Sequence, residues 1–328
     1  MESNIKRRTF LAAAGVTTIG ALLPGLSAAA EDWPSKPVRL MVPFPAGAGA
    51  DAMARLIGRK LEEQLGKPIV VENKNGATGT ICADYVAKSA PDGYTFMLAH
   101  VSANAIGPLL VAKGRFDPIK DFTPIGMIGI TPHVLAVNPK TGVNSVQELI
   151  AKAKAEPGKL TFMSAGIGSA PHIGGEAFKS QAQVDMLHVP FKGTGEAMIA
   201  LLGGEVDMTF SSTGSAMQHI RSGKLRAIAV TSPKRLPQLP NVPTIGETLK
   251  GYELMTWYGI AGPAKLPPAI VSRMEAALQT VLKQPDVIKK LEELDAEVRP
   301  GTSAQFGRFW ADEVARYQKL IVDTKLKA

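Results

Sequence analysis

The chain has 328 residues, 45% of them hydrophobic, with 37 Lys and Arg against 29 Asp and Glu and a formal net charge of +8. Its length exceeds what one small core needs and suits two domains. The single cysteine, Cys82, excludes an internal disulfide, and the dispersed basic residues argue against a nucleic-acid partner.

Met1 to Ala30 reads as an export signal: Lys6, Arg7 and Arg8 give a basic start, Phe10–Leu26 an apolar middle, and Ser27 to Ala30 a small-residue exit. Arg7-Arg8-Thr9-Phe10-Leu11 also fits a twin-arginine signal. A membrane anchor is disfavoured, because Gly15, Gly20, Pro24 and Gly25 interrupt a stretch already short of the roughly 20 residues a spanning helix needs. A soluble periplasmic protein cut after Ala30 is expected. Residues 1–30 hold three basic residues and one acidic, so the mature chain carries 34 against 28 and a net charge of +6. Such a mild positive field steers acidic solutes inward. Cys82, at helical spacing in TGTICADYVAK, reads as a buried small side chain.

Beyond the signal, the pattern predicts strand 38–43, helix 51–65, strand 69–72, helix 79–89 and strand 94–99. Apolar runs follow at 124–130 and 133–137, then helix 145–155 and strand 160–164. Helix 170–181, strand 185–189, helix 194–202, strand 206–210, helix 214–222 and strand 226–231 complete the alternation. It predicts an α/β fold of mainly parallel sheets flanked by helices. After residue 232 a proline-punctuated stretch leads to an apolar strand over Leu254–Gly262 and three amphipathic helices.

Two glycine-rich turns carry the chemistry: PFPAGAGAD (Pro43–Asp51) and SAGIGSAPHIGGE (Ser164–Glu176). Each joins an apolar strand to a helix start, an arrangement that gathers backbone N–H groups and favours an anion. Three chemistries compete for them. Gly47-x-Gly49-x-x-Ala52, with Glu72 some twenty residues on, formally passes a dinucleotide test, although Pro43 and Pro45 stiffen the turn. A hydrolase would pair Ser169 with His172, yet the G-x-S-x-G elbow is missing. Ser169 followed by Pro171 reads better as a helix N-cap. Reversible capture of an anion needs only donors, and Ser102, Ser164, Ser169, Ser211 and Ser212 fall at or just after strand ends, where parallel sheets place ligands. Lys192 follows another strand end, either as a ligand contact or as a solvated turn lysine. Asp51 repels an anion and reads as a cap for the helix it begins, or as an acceptor from a ligand amino or hydroxyl group. The histidines show no metal-binding spacing, and no cofactor is expected.

The landmarks WPSKPVRLMVPFPAGAGAD, IVVENKNGATGT, PDGYTFML, SAGIGSAPHIGGEAF, VPFKGTGEAMIALLGGEVDMTF and WYGIAGPAKLPPAIV, in this order, resemble a Bug-type receptor of the tripartite tricarboxylate transporter family. Departures fall at Ala48, at Phe191 and in the AKLPP run. The resemblance implies a monomeric, two-domain Venus-flytrap binding protein, not an enzyme. Its first domain would combine residues 33–131 and 253–328, and its second would be residues 132–252. It implies a small carboxylate held in the interdomain cleft, with Phe44, Ala46, Gly47 and Asp51 on one wall. Ser164, Ala165, Gly168, Ser169 and His172 would form the other, and the closed form would dock on a membrane permease.

Overall fold

The computed structural model describes residues 33–326, so the export signal expected over residues 1–30 lies outside the described residues. β1 (Val38–Val42) is apolar and buried except at Arg39, which is partly buried and pairs with Glu72, as befits a strand covered on both faces for most of its length. It runs parallel to β2 (Ile69–Asn73) and β3 (Thr95–His100). α1 (Gly49–Leu65) between β1 and β2 buries Met53, Ala54, Ile57, Leu61 and Leu65, spaced three to four residues apart as one helix face requires. Gly66 ends it in the left-handed conformation, φ 70°, returning its N–H to Glu62 O. α2 (Thr80–Ala87) buries Cys82 completely, and burial pushes that thiol up to about 12, leaving it inert. A π-helical turn (Ser102–Ile106) then runs into α3 (Gly107–Leu110).

β4 (Phe122–Val137) is the long element, 16 residues. The apolar runs at 124–130 and 133–137 are therefore one strand. Its first part pairs antiparallel with β9 (Met255–Pro263), from Phe122↔Pro263 to Pro132↔Met255, and with β10 (Glu297–Gly301) on the other side. From His133 onward its partners are β7 (Met208–Ser212) and β8 (Arg226–Val230). Pro132 has no N–H to give a ladder, and it stands where one set of partners yields to the next.

The second half of the sheet places β5 (Thr161–Ser164) between β6 (Leu187–Pro190) and β7, parallel to both. The full order is β2-β1-β3-β9-β4-β7-β5-β6, with β8 and β10 also pairing with β4. The sheet is thus mixed rather than mainly parallel. Each half has a three-strand parallel set, and the long strands β4 and β9 join antiparallel because they carry the chain across and back. Helices α4 (Val146–Ala155), α5 (Ala170–Ala182), α6 (Thr194–Gly203) and α7 (Thr213–Arg221) belong to the second half; α8 (Pro268–Val281), α9 (Pro285–Glu293) and α10 (Ser303–Asp323) close the chain.

At the crossing, buried polar groups satisfy one another. His133 Nδ1 donates to Phe210 O (2.7 Å), which leaves Nε2 to accept from Thr256 Oγ1 (2.8 Å). Thr231 Oγ1 accepts from the His133 N–H (3.0 Å) and donates to Leu254 O (2.6 Å). Beside them Trp257, fully buried, packs on Phe306, Phe309 and Trp310.

Candidate ligand-binding site

The first glycine turn leaves β1 at Pro43 and enters α1. Gly47 sits at φ +82°, a conformation that L side chains rarely adopt. Helix α1 begins at Gly49 with Ala48 as its N-cap, so Asp51 is the third helical residue and not the cap expected from sequence. Its buried carboxylate reaches back to the Gly47 N–H (2.9 Å) and also accepts from Arg55 Nε (2.9 Å) and Asn73 Nδ2 (2.8 Å). Burial pushes this carboxyl upward, but the bonds from Arg55, Gly47 and Asn73 more than offset it and hold it below its ordinary range. Asn73 also donates to Phe44 O (3.0 Å), tying the turn to the end of β2. The Phe44 ring packs edge-on against His100, centroids 4.6 Å apart, and His100 in turn against Tyr258 at 5.1 Å. Ala46 is exposed at the turn's tip.

The second turn is built by the same grammar with a different acceptor. The Gly168 N–H donates to His172 Nδ1 (3.2 Å), so the proton of that ring resides on Nε2. Burial, the His188 ring beside it at 4.1 Å and Lys179 push His172 down to about 3. Ser169 occupies the N-cap position of α5, but its hydroxyl donates back to Gly166 O (2.6 Å) and caps nothing. The loop's tight turn back on itself makes that carbonyl the nearer partner. Ser164, buried at the end of β5, accepts from the Gly166 N–H (3.1 Å) and lies 2.7 Å from His188 Nε2. His188 stacks on Phe162 and is pushed down to about 4, chiefly by burial. Ala165 is half-buried between Ser164 and Gly166.

The two walls meet. Thr78 Oγ1 donates to Ile167 O at 2.8 Å, across 89 residues of sequence. A methyl group on Gly168 would lie 3.0 Å from Val111 Cγ2, and one on Gly79 would lie 2.9 Å from Pro43 Cβ and 2.8 Å from Ala103 Cβ. The turn at Gly76–Gly79 therefore bridges the first glycine turn to the second. Since Gly47 and Gly168 spend their amides internally, the donors left for a ligand are the first-turn N–H groups of α1 and α5, which no helix satisfies itself. Ser102 stands at the head of the π-helical turn, its N–H on His100 Nδ1 (3.0 Å). Lys192 is exposed, its N–H on Glu196 Oε2 (3.3 Å). Ser211 is buried within β7, Oγ 2.5 Å from Thr209 Oγ1. No lysine or arginine among the described residues is fully buried; the cation beside the first turn, Arg55, is held on Asp51 and Asn73.

The competing chemistries fare differently. Ser169 and His172 bond to separate backbone groups and not to each other. Glu72, the acidic residue of the dinucleotide reading, holds Arg39 through both carboxylate oxygens (2.9 and 3.2 Å). Among the described residues no group of His, Cys, Asp and Glu side chains is placed to hold a metal ion. Thr78, Asn73 and His188 were not singled out from sequence. Their partners lie 89, 22 and 24 residues away, and no local spacing announces them.

A mixed sheet carrying two glycine turns at its strand ends is the architecture of periplasmic solute-binding proteins. "R. palustris Rpa4515 with adipate" superposes with a TM-score of 0.82 at 34% identity, covering 90% of this chain and 99% of that one. MatC from Rhodopseudomonas palustris with bound malate gives 0.79 at 32%, covering 88% and 100%. Protein BugT of Bordetella pertussis is 35% identical over 316 residues, 95% of each chain, and residues 53–326 match the tripartite tricarboxylate transporter family receptor. The chain belongs to that family and is a receptor of the Bug type.

Proposed function

We propose that this protein captures a small carboxylate between its two glycine turns and delivers it to a tripartite tricarboxylate-type membrane permease. The observation that carries this reading is the bond from Thr78 to Ile167, by which the Gly76–Gly79 turn, packed on Pro43 of the first glycine turn, reaches the second. The N-termini of α1 and α5 serve one anion in this reading, and it gains from both dipoles. In this reading residues 33–131 with 253–328 form one lobe and residues 132–252 the other, hinged where β4 and β9 cross. Phe44, Ala46, Gly47 and Ser102 line the first wall, and Ser164, Ala165, Gly168, Ser169 and His172 the second. Asp51 acts indirectly, by holding the Gly47 turn; Lys192 and Ser211 lie at the margin. The protein works in the periplasm as a monomer, without cofactor and without turnover. The malate and adipate held by its structural relatives, both with two carboxylates, support a small dicarboxylic acid.

Thermal unfolding against a panel of acids, beginning with adipate and malate, tests this. A ligand that binds only the folded chain stabilises it by about 2.7 kcal/mol at a hundredfold excess over Kd. For a chain of this size that is a rise of roughly 5 °C. The reading fails if no acid of the panel moves the melting temperature, or if steady ester turnover disappears in a Ser169→Ala variant.

A further inference from the structure

The segment between β2 and α2 holds an unusual backbone. Gly76, Ala77, Thr78 and Gly79 stand at φ 123°, 46°, 57° and 91°, four left-handed residues in succession. Glycine adopts such angles freely. For Thr78, branched at Cβ and at ψ 27°, the conformation is strained, and strain of this kind persists only where surrounding bonds enforce it. Those bonds are visible. Within the turn, the Gly79 N–H donates to Gly76 O (2.9 Å) and Thr80 Oγ1 to Ala77 O (2.8 Å). Across the cleft, Thr78 Oγ1 donates to Ile167 O (2.8 Å). Gly79 cannot retreat, because Pro43 and Ala103 leave no room for even a methyl group there.

On the far side, Ile167 precedes Gly168, whose own left-handed backbone (φ +78°) is pinned by His172 and faces Val111. The cross-cleft bond thus joins two backbones that are each held in a conformation few residues tolerate. One is fixed by the first half of the sheet and the other by the second.

We propose that Thr78 is the latch of the closed receptor. Its hydroxyl holds the lobes together from the rim, while the left-handed backbone beneath it resists, so that opening releases the strain as the bond breaks. The latch therefore sets the residence time of the captured acid without needing to touch it. This deepens the carboxylate-receptor reading and rests on it for the ligand, but the latch itself is testable without any ligand.

The experiment measures the distance between spin labels on Cys substituted at Glu63 and Lys224, exposed positions in the two halves, with buried Cys82 left in place. In the ligand-free chain, Thr78→Val keeps the branched side chain and the strain but removes the donor. Its ratio of closed to open distances should fall roughly three- to tenfold relative to wild type, the range a single net hydrogen bond spans. Thr78→Ser keeps the donor and should match or exceed the wild-type closed population. Thr78→Gly, which lacks both the donor and the strain, guards against a folding defect and should lie on the closed side of Thr78→Val. Superimposable distributions for wild type and Thr78→Val overturn the latch. With adipate as probe, the dissociation rate should rise by the same factor in Thr78→Val and return to the wild-type value in Thr78→Ser. If wild type binds no adipate, the carboxylate reading loses support for that acid, while the distance distributions still decide the latch.

Discussion

The two glycine turns share a sequence grammar and differ in what satisfies their central amide. The Gly47 N–H is taken by a carboxylate, Asp51, itself held by Arg55 and Asn73, in a turn whose tip is exposed. The Gly168 N–H is taken by a neutral imidazole, His172, in a loop whose Gly168 and Ser169 are buried while Ile167 beside them is exposed. A charged acceptor gives a stronger bond than a neutral one, so the first turn is a braced scaffold. The second is a closely fitted surface whose integrity depends on one histidine remaining unprotonated.

The sharpest way to break this comparison is to add a side chain at each glycine. Gly168→Asp forces a left-handed non-glycine residue and a negative charge against Val111 with 3.0 Å to spare. Titration calorimetry with adipate on the folded variant should show binding lost by at least about a hundredfold, roughly 2.7 kcal/mol or more. Gly47→Ala has nothing within 4 Å of the new methyl and should cost only the left-handed penalty, about 1–2 kcal/mol in stability. Equal effects from the two substitutions would show that the turns are equivalent after all.

Removing the acceptors should separate the turns less widely. Asp51→Ala strands the Gly47 amide and the Asn73 side-chain amide, and bonds to a charged group carry about 1.5–3 kcal/mol each, whereas the exposed Arg55 adds little. His172→Ala strands one amide from a neutral acceptor, about 1 kcal/mol, and adds the cavity its buried ring leaves. Urea unfolding at pH 7 measures both, and a loss below about 0.5 kcal/mol from Asp51→Ala would refute the scaffold role given to Asp51.

Acid should act on the second turn and on the crossing before it reaches the first. Burial is the main cause that lowers His100 and His172 to about 3, and His133 and His188 to about 4, from 6.5. A histidine depressed in the fold takes up its proton first in the unfolded chain. Stability is therefore full above about pH 6.5 and falls as pH drops toward 4, by ~1.4 kcal/mol per pH unit for each histidine that stays neutral. Asp51, also lowered, adds loss only below its ordinary value of 3.8. The urea midpoint should fall steadily between pH 7 and 4.5, and His133→Gln should flatten the slope. A midpoint that does not move over that range would contradict the neutral second turn.

Much of this architecture was legible because periodicity reports local structure: α1 and α5 emerge within two residues of their expected starts, and both glycine turns stand where strand meets helix. What escaped depended on distant partners. β10 reads EVRPG and is mostly exposed; it is a strand only because β4 offers it an edge. β4 itself contains Pro124 and Pro132, which ordinarily argue against a central strand, and its continuity follows from β9 pairing along it. Asp51 showed its charge in the sequence but not the Asn73 and Gly47 donors that decide its role. Ser169 was legible as an N-cap by position, while its hydroxyl obeys a loop closure that only coordinates display.

The pairing of β4 also orders events in time. Each strand recorded beside it (β7, β8, β9 and β10) lies later in the chain, and β3 likewise waits for β9. As the polypeptide is made, its N-terminal portion holds open edges until Met255–Pro263 arrives, and β4 waits for Glu297–Gly301 as well. Such late, non-local closure slows folding and leaves sticky edges uncovered meanwhile. The nascent chain therefore has reason to be shielded by a chaperone until its last strand is in place.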